Sequence, residues 1–261
     1  MRRMTSFTLV ILLLLSLPIL VFAARDEDED DYEWKTWKTR RSHAGFNGHG
    51  GFFYQGQTFE SKALENQAVA MGLDKPDDTM WGWGGYGMGH IGNGWRIGGE
   101  GFGMEMSTTG LYTDPVSGDT YNRELSMDLG GGGFLVEYSP WMIGPINFGV
   151  GTLIGGGGVS IEMRQDTGAF TWNDLTQQYI GTASNAENVS TSITQGFFML
   201  RPYATIRVHV LDWMAVEGVA GYHFSTLSDQ GWDFGDRELS GDGPELKINR
   251  PYFRVGLAFG G

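Results

Sequence analysis

The chain has 261 residues, 31 of them acidic and 18 basic, for a formal charge of −13. That balance argues against a nucleic-acid partner. With no cysteine there is no disulfide, no thiolate nucleophile or thiolate metal site, and no cysteine to carry a lipid. Glycine, at 42 residues, follows no collagen period and is accompanied by 13% aromatics, a composition that favours β architecture.

The chain opens MRRMTSFTLVILLLLSLPILVFAA. A basic start, an apolar run and the small-residue site Val21-Phe22-Ala23 predict a cleaved secretory signal peptide at 1–23. Losing Arg2 and Arg3 with it takes the formal charge from −13 to −15. The following RDEDEDDYEWKTWKTRRSHA has no apolar period and reads as a charged flexible tail over 24–45. No later run approaches the ~20 apolar residues of a membrane helix.

From there, 46–261 reads as one barrel unit. Eight strand-like segments are expected near 46–56, 79–91, 94–107, 120–138, 146–164, 195–210, 213–225 and 249–260. The connections alternate: long at 57–78, 108–119, 165–194 and 226–248, short at Gly92-Asn93, Ser139 to Pro145 and Leu211-Asp212. Long loops at one end and tight turns at the other describe an up-and-down antiparallel barrel of eight strands. In the first long loop, TFESKALENQAVAMGLDKP predicts a short helix capped by Thr58. Its apolar face (Phe59, Ala63, Leu64, Ala68 and Met71) is expected over or within the barrel mouth, on Leu125, Met127, Val159 and Ile161.

Residues alternate in character along the strands. In FMLRPYATIRVHV (198–210), Phe198, Leu200, Ile206 and Val208 share one face, and Met199, Arg201, Tyr203, Thr205, Arg207 and His209 the other. In a narrow barrel the polar face packs inside, where charges must be paired. By parity the inward set includes Arg96, Glu100, Arg201, Arg207, Glu217 and Arg254, and His90 and His209 also point inward. Pro202 faces outward, and a bulge is expected there. Trp95, Trp141 and Trp213 stand beside the three tight turns, as a belt at a membrane–water boundary would. Two glycine runs, 130–133 and 155–158, fall opposite each other when the hairpin folds near 143–144. The apolar phase flips across both, which predicts paired bulges or a sharp bend. The turn-proximal half should cross a bilayer, and the remainder should continue outside with its apolar residues turned inward.

Together these features resemble the small eight-stranded outer-membrane barrels of diderm bacteria. The likeness lies in the leader, the eight alternating segments, the loop asymmetry and an aromatic last strand, PYFRVGLAFGG. It departs from that family at the end, where Phe259 is followed by Gly260-Gly261. The resemblance implies a transmembrane barrel in the outer membrane, inserted by the barrel-insertion machinery and surrounded by outer-membrane lipid and lipopolysaccharide.

Chemical motifs are sparse. The Gly-x-Gly patterns of WGWGGYGMGHIG (81–92) precede no helix, which argues against a nucleotide site. The five histidines show no metal spacing. The acidic loop with Asp229, Asp233, Asp236, Glu238, Asp242 and Glu245 lacks calcium-loop spacing. Asn188-Val189-Ser190 matches a glycosylation sequon only by coincidence. His223 and Ser225 lie two apart on one strand face, so the ring could draw the hydroxyl proton, with Asp236 or Glu238 orienting it. That arrangement is similar to the outer-membrane lipid A deacylases, whose His-x-Ser also lies on the penultimate strand. The likeness implies an esterase with His223, Ser225 and Glu238, although Thr226 stands where that family has asparagine. The expected role is a structural or surface-binding barrel with a filled lumen and neither cofactor nor metal. Its alternatives are that esterase, a small passive porin-like channel, and a secreted soluble β-barrel.

Overall fold

Alternating polarity builds the strands. Each carries one polar or large apolar side chain inward for every apolar one outward, so a half-buried ribbon is the stable form. The computed structural model describes residues 48–168, 188–227, 231–239 and 243–260. The leader and the tail lie outside the described residues. The elements are β1 (Gly48–Thr58), α1 (Lys62–Ala70), β2 (Thr79–Gly92), β3 (Trp95–Thr113), β4 (Thr120–Ile143) and β5 (Ile146–Asp166). They continue with β6 (Val189–Leu211), β7 (Met214–Leu227), the two-residue strands β8 (Asp233–Phe234) and β9 (Arg237–Glu238), and β10 (Arg250–Phe259).

Eight long strands pair antiparallel in sequence order. The ring closes where β1 meets β10, with Phe53 opposite Gly256, and β5 also pairs β6. This is an eight-stranded up-and-down antiparallel barrel. The short hairpin β8–β9 adds to β6 at the rung Thr194–Asp233. Asn93 and Gly94, at φ 51° and 82°, make the β2–β3 turn, the left-handed pair that a two-residue hairpin requires.

The wall is uneven. β3 to β6 have 19, 24, 21 and 23 residues, while β1, β2, β7 and β10 have 11, 14, 14 and 10. Half of the expected long loop at 108–119 is strand: β3 and β4 stay paired out to Thr113 and Thr120. β6 likewise begins at Val189, earlier than the expected 195. Threonine and tyrosine at these positions suit a strand, and pairing to neighbours overrode a polarity that read as loop.

The glycine runs correct a second expectation. Through 130–133 and 155–158 the β4–β5 register is unbroken, with Gly130 opposite Gly158 and Gly133 opposite Gly155. Odd-numbered residues face inward from Leu125 to Ser139 in β4 and from Asn147 to Ile161 in β5, straight through both glycine runs. No bulge flips the phase. The surroundings change instead: the inward residues above the glycines are apolar, and below them Leu135 and Leu153 give way to inward polar residues such as Glu137 and Asn147. Register shifts occur beside the tight turns, at His90/Gly92, Tyr138/Trp141 and His209/Leu211. Nor is there a bulge at Pro202, since the β6–β7 register resumes unshifted from Leu200–Phe224 to Tyr203–Gly221.

The glycines provide close approach. A methyl group on Gly155 would overlap the carbonyl of Gly132, and one on Gly157 would overlap the Phe197 ring. Gly155→Ala is therefore expected to lower the unfolding free energy by about 1–3 kcal/mol or more. Gly103→Ala, where the added carbon meets nothing, should be near neutral. Urea midpoints in detergent micelles compare the two, and equal midpoints would refute the packing account.

The helix forms in the first loop, but Ser61 caps it rather than Thr58. The Ser61 hydroxyl accepts from the Leu64 N–H, and Thr58 remains in β1. Leu64 and Ala68 are its buried positions, while Ala63 is exposed. They join one apolar cluster with Phe59, Leu125, Met127, Val159 and Ile161. Polar ties hold both ends of the connection. Ser61 donates to the Glu245 carbonyl, Arg123 to the Met71 carbonyl and Thr108 to the Asp74 carbonyl. The helix therefore caps the barrel at the long-loop end.

Candidate functional site: the sealed charge ladder

Below the apolar cluster, the inward faces carry ions. Arg207 on β6 is the hub. Its Nη1 and Nη2 donate to the two Glu137 carboxylate oxygens at 2.5 and 2.6 Å, and its Nε donates to Glu217 Oε2 at 2.5 Å. Glu137 also accepts from Arg96 at 2.9 Å and from the Tyr203 hydroxyl at 3.1 Å. Glu217 accepts from the Tyr86 hydroxyl at 3.0 Å and from Arg254 at 3.3 Å. Arg254 donates to Glu100. Arg201 lies 3.9 Å from Glu100, donates to Gln55 Oε1 at 3.1 Å, and is sandwiched between the Phe102 and Tyr252 rings.

The result is an alternating ladder: Arg96, Glu137, Arg207, Glu217, Arg254, Glu100, Arg201. All but Arg96 are buried. Burying one such ion alone is prohibitive, and alternating signs with two-point hydrogen bonds make the cluster tolerable. Six of the seven are the residues that parity placed inward. Glu137 was missed, although its position between the outward Val136 and Tyr138 carries the same signal. The flip in apolar phase over 125–138 hid it. Of the inward histidines, His209 is half-buried, whereas His90 is exposed at the tight-turn rim, because the register shift beside it ends the regular strand.

Outward, Trp95, Trp141 and Trp213 are 45%, 56% and 56% exposed at the tight-turn end. A second set of exposed rings, Trp83, Phe198, Tyr222, Phe224 and Phe253, stands towards the opposite end. Between the two sets the outward residues are apolar or glycine, apart from Thr152 on β5, opposite Val136 and Pro202. Above the second set they become polar: Glu105 faces Asp128, Asp128 faces Ser160, and Ser160 faces Thr194.

The catalytic trio is dispersed. His223 is fully buried between Phe102 and Phe197, and its Nδ1 lies 3.1 Å from Gln57 Oε1. Gln57 directs its own amide to the Ile248 carbonyl, so Nδ1 is the protonated nitrogen. The Ser225 hydroxyl donates to Asn249 Oδ1 at 3.0 Å. Glu238 is exposed on the β8–β9 hairpin. Base and hydroxyl are therefore engaged with other partners, and the acid stands exposed on a separate hairpin. Ser225→Ala is expected to leave the acylation of lipid A unchanged in a strain expressing the protein, by mass spectrometry. A lost acyl-chain cleavage would restore the esterase reading.

In the acidic loop, Asp229 and Asp242 lie outside the described residues. Among the described residues, no group of three or more histidine, aspartate or glutamate side chains converges as a metal site.

No protein-family model matches the chain, and no curated protein sequence matches it. Among solved structures it is similar to Ail, the attachment invasion locus protein of Yersinia pestis, in complex with the heparin analogue sucrose octasulfate. That match has 11% identity, covers 82% of this chain and 98% of Ail, and has a TM-score of 0.38. It is also similar to CarO of Acinetobacter baumannii (15% identity, 81% and 97% covered, TM-score 0.33). A third is the outer membrane protein OprG of Pseudomonas aeruginosa (9% identity, 84% and 97% covered, TM-score 0.31).

Proposed function

We propose that this protein is a bacterial outer-membrane barrel with a closed lumen, presenting its helix-capped end to the outside as a ligand- or partner-binding surface. The observation that carries this is the inverted polarity of the lower wall. Apolar side chains face out between two sets of exposed rings, and ions are sealed within. A water-soluble barrel would do the opposite, because an exposed arginine costs nothing and a buried ladder costs desolvation. The band between Trp95 and Gly103 on β3 is about nine residues long, the span of a tilted strand crossing a bilayer. The ladder and the helix cap obstruct passage in series, which favours a binding or structural role over a porin-like one.

The leader brings the chain through the inner membrane, and the barrel-insertion machinery places it among outer-membrane lipid. In a diderm host, the protein should co-sediment with outer membranes and require detergent for extraction. Planar bilayers containing it should show no conductance steps. Recovery of folded protein without detergent would refute the membrane placement, and regular conductance steps would refute the closed lumen.

A further inference from the structure

The wall has a notch where β10 begins. The β7–β10 ladder ends at His223–Arg250, yet β7 runs on to Leu227. Asn249 finishes the exposed edge. Its Oδ1 accepts from the Ser225 N–H at 2.6 Å and from the Ser225 hydroxyl, and its carbonyl accepts from the Tyr222 hydroxyl at 2.8 Å. The chain beyond alternates, with Leu246 and Ile248 buried and Lys247 and Asn249 exposed. An open groove of about 570 Å³ results, with Leu246 and Ile248 on its floor and Ser225, Asn249, Lys247, Arg250 and Glu60 around it.

Its charge is unbalanced. Lys247 Nζ lies 3.6 Å from Glu60 Oε1, and Arg250 donates to Glu60 Oε2. Two cations therefore share one carboxylate. Lys247 keeps over half of its side chain exposed, and Arg250 about a third. A second open groove, about 400 Å³ at the far tips of β3, β4 and β5, sets Arg123 and Arg164 against Glu124 and Asp166, and those charges balance. Position separates the two grooves as well. Tyr222, just below the notch, and Phe224, beside it, lie 4.6 Å apart with tilted rings on the outward face, both exposed. The notch therefore sits where lipid-facing rings give way to polar surface, and the tip groove stands well above that boundary.

We infer that this notch binds a phosphate group, and that its natural source is the phosphorylated headgroup of a lipid in the surrounding leaflet. Lys247 and Arg250 supply the charge, and the Asn249 amide and Ser225 hydroxyl lie within the same groove as neutral partners. Tyr222 and Phe224 lie below and beside it for an acyl chain. A chain of formal charge −13 repels anions in general, so local surplus charge at the lipid boundary is what would select one. The site rests on the membrane placement proposed above.

The test uses the full chain folded in a maltoside detergent, titrated with fluorescent lysophosphatidic acid and, separately, lysophosphatidylcholine. The phosphomonoester should bind about tenfold more tightly than the choline lipid at low salt. Lys247→Gln should remove most of that preference, Lys247→Gln with Arg250→Gln all of it, and Arg164→Gln in the balanced groove none. If excess inorganic phosphate displaces the lipid completely, the group recognised is phosphate from either source. If it does not, the lipid itself is the ligand. Equal binding of the two lipids, or undiminished selectivity in the exposed Lys247→Gln variant, would overturn the site. Those results in protein that still needs detergent to stay folded leave the barrel placement standing, whereas folded protein without detergent removes the placement itself.

Discussion

Glu137→Gln is expected to be the most damaging single change to the barrel. Glu137 accepts from Arg207 twice, from Arg96 and from Tyr203, and its side chain is fully buried. Gln is nearly the same size, so packing is unchanged and the charge alone is lost. Arg207 is then left with Glu217 as its only carboxylate, in a place that water does not reach. Removing one partner of a buried pair typically costs 3–5 kcal/mol, roughly, because the other charge stays buried. Replacing both members with well-packed apolar residues is often close to neutral. The double variant Glu137→Leu with Arg207→Met should therefore recover much of the lost stability. Tryptophan-monitored denaturant unfolding in micelles measures all three proteins. If Glu137→Gln unfolds at the wild-type midpoint, the ladder is not holding the lumen together.

Ile206→Arg tests the orientation of the wall. Ile206 is outward and 41% exposed on β6, opposite Phe148 and Gly218, within the apolar band. An arginine near the bilayer midplane of such a barrel costs about 2–4 kcal/mol. The same change at Thr194, on the same face but level with the polar row, should fall within about 0.5 kcal/mol of wild type. Folding into vesicles, followed by denaturant titration, separates them. A soluble barrel would show both substitutions near neutral, because each position would then already face water. Equal effects would reject the inverted-polarity account.

Much of this architecture is written in local pattern. Alternation in FMLRPYATIRVHV places Arg201 and Arg207 on one face and Ile206 on the other, and the structure keeps that division. Short connections with Asn93-Gly94 or Gly144-Pro145 mark the hairpins, because only a few residue types accept their backbone angles. What failed was reading a change of environment as a change of geometry. At residues 130–133 the apolar side switches while the register holds. A period-2 pattern reports which face is greasy, not which face is inside. The same ambiguity hides Glu137 and mimics a bulge at the glycine runs, where the register is continuous.

The trio of His223, Ser225 and Glu238 is held apart for a different reason. Spacing along a strand places two side chains on one face, but rotamers and competing partners decide whether they meet. Gln57, from β1, holds His223, and Asn249 holds Ser225. Both partners are distant in sequence, and nothing in the local pattern announces them. In the same way, local sequence determined the strands, their order and each one's two faces, because a strand's side-chain period is a property of the backbone. Only the tertiary structure decided which carboxylate meets which arginine, that Ser61 also ties the helix to the Glu245 carbonyl, and that two cations share Glu60 at the rim. Those depend on ring closure, which brings β1 beside β10 and sets residues from opposite ends of the chain within hydrogen-bonding distance.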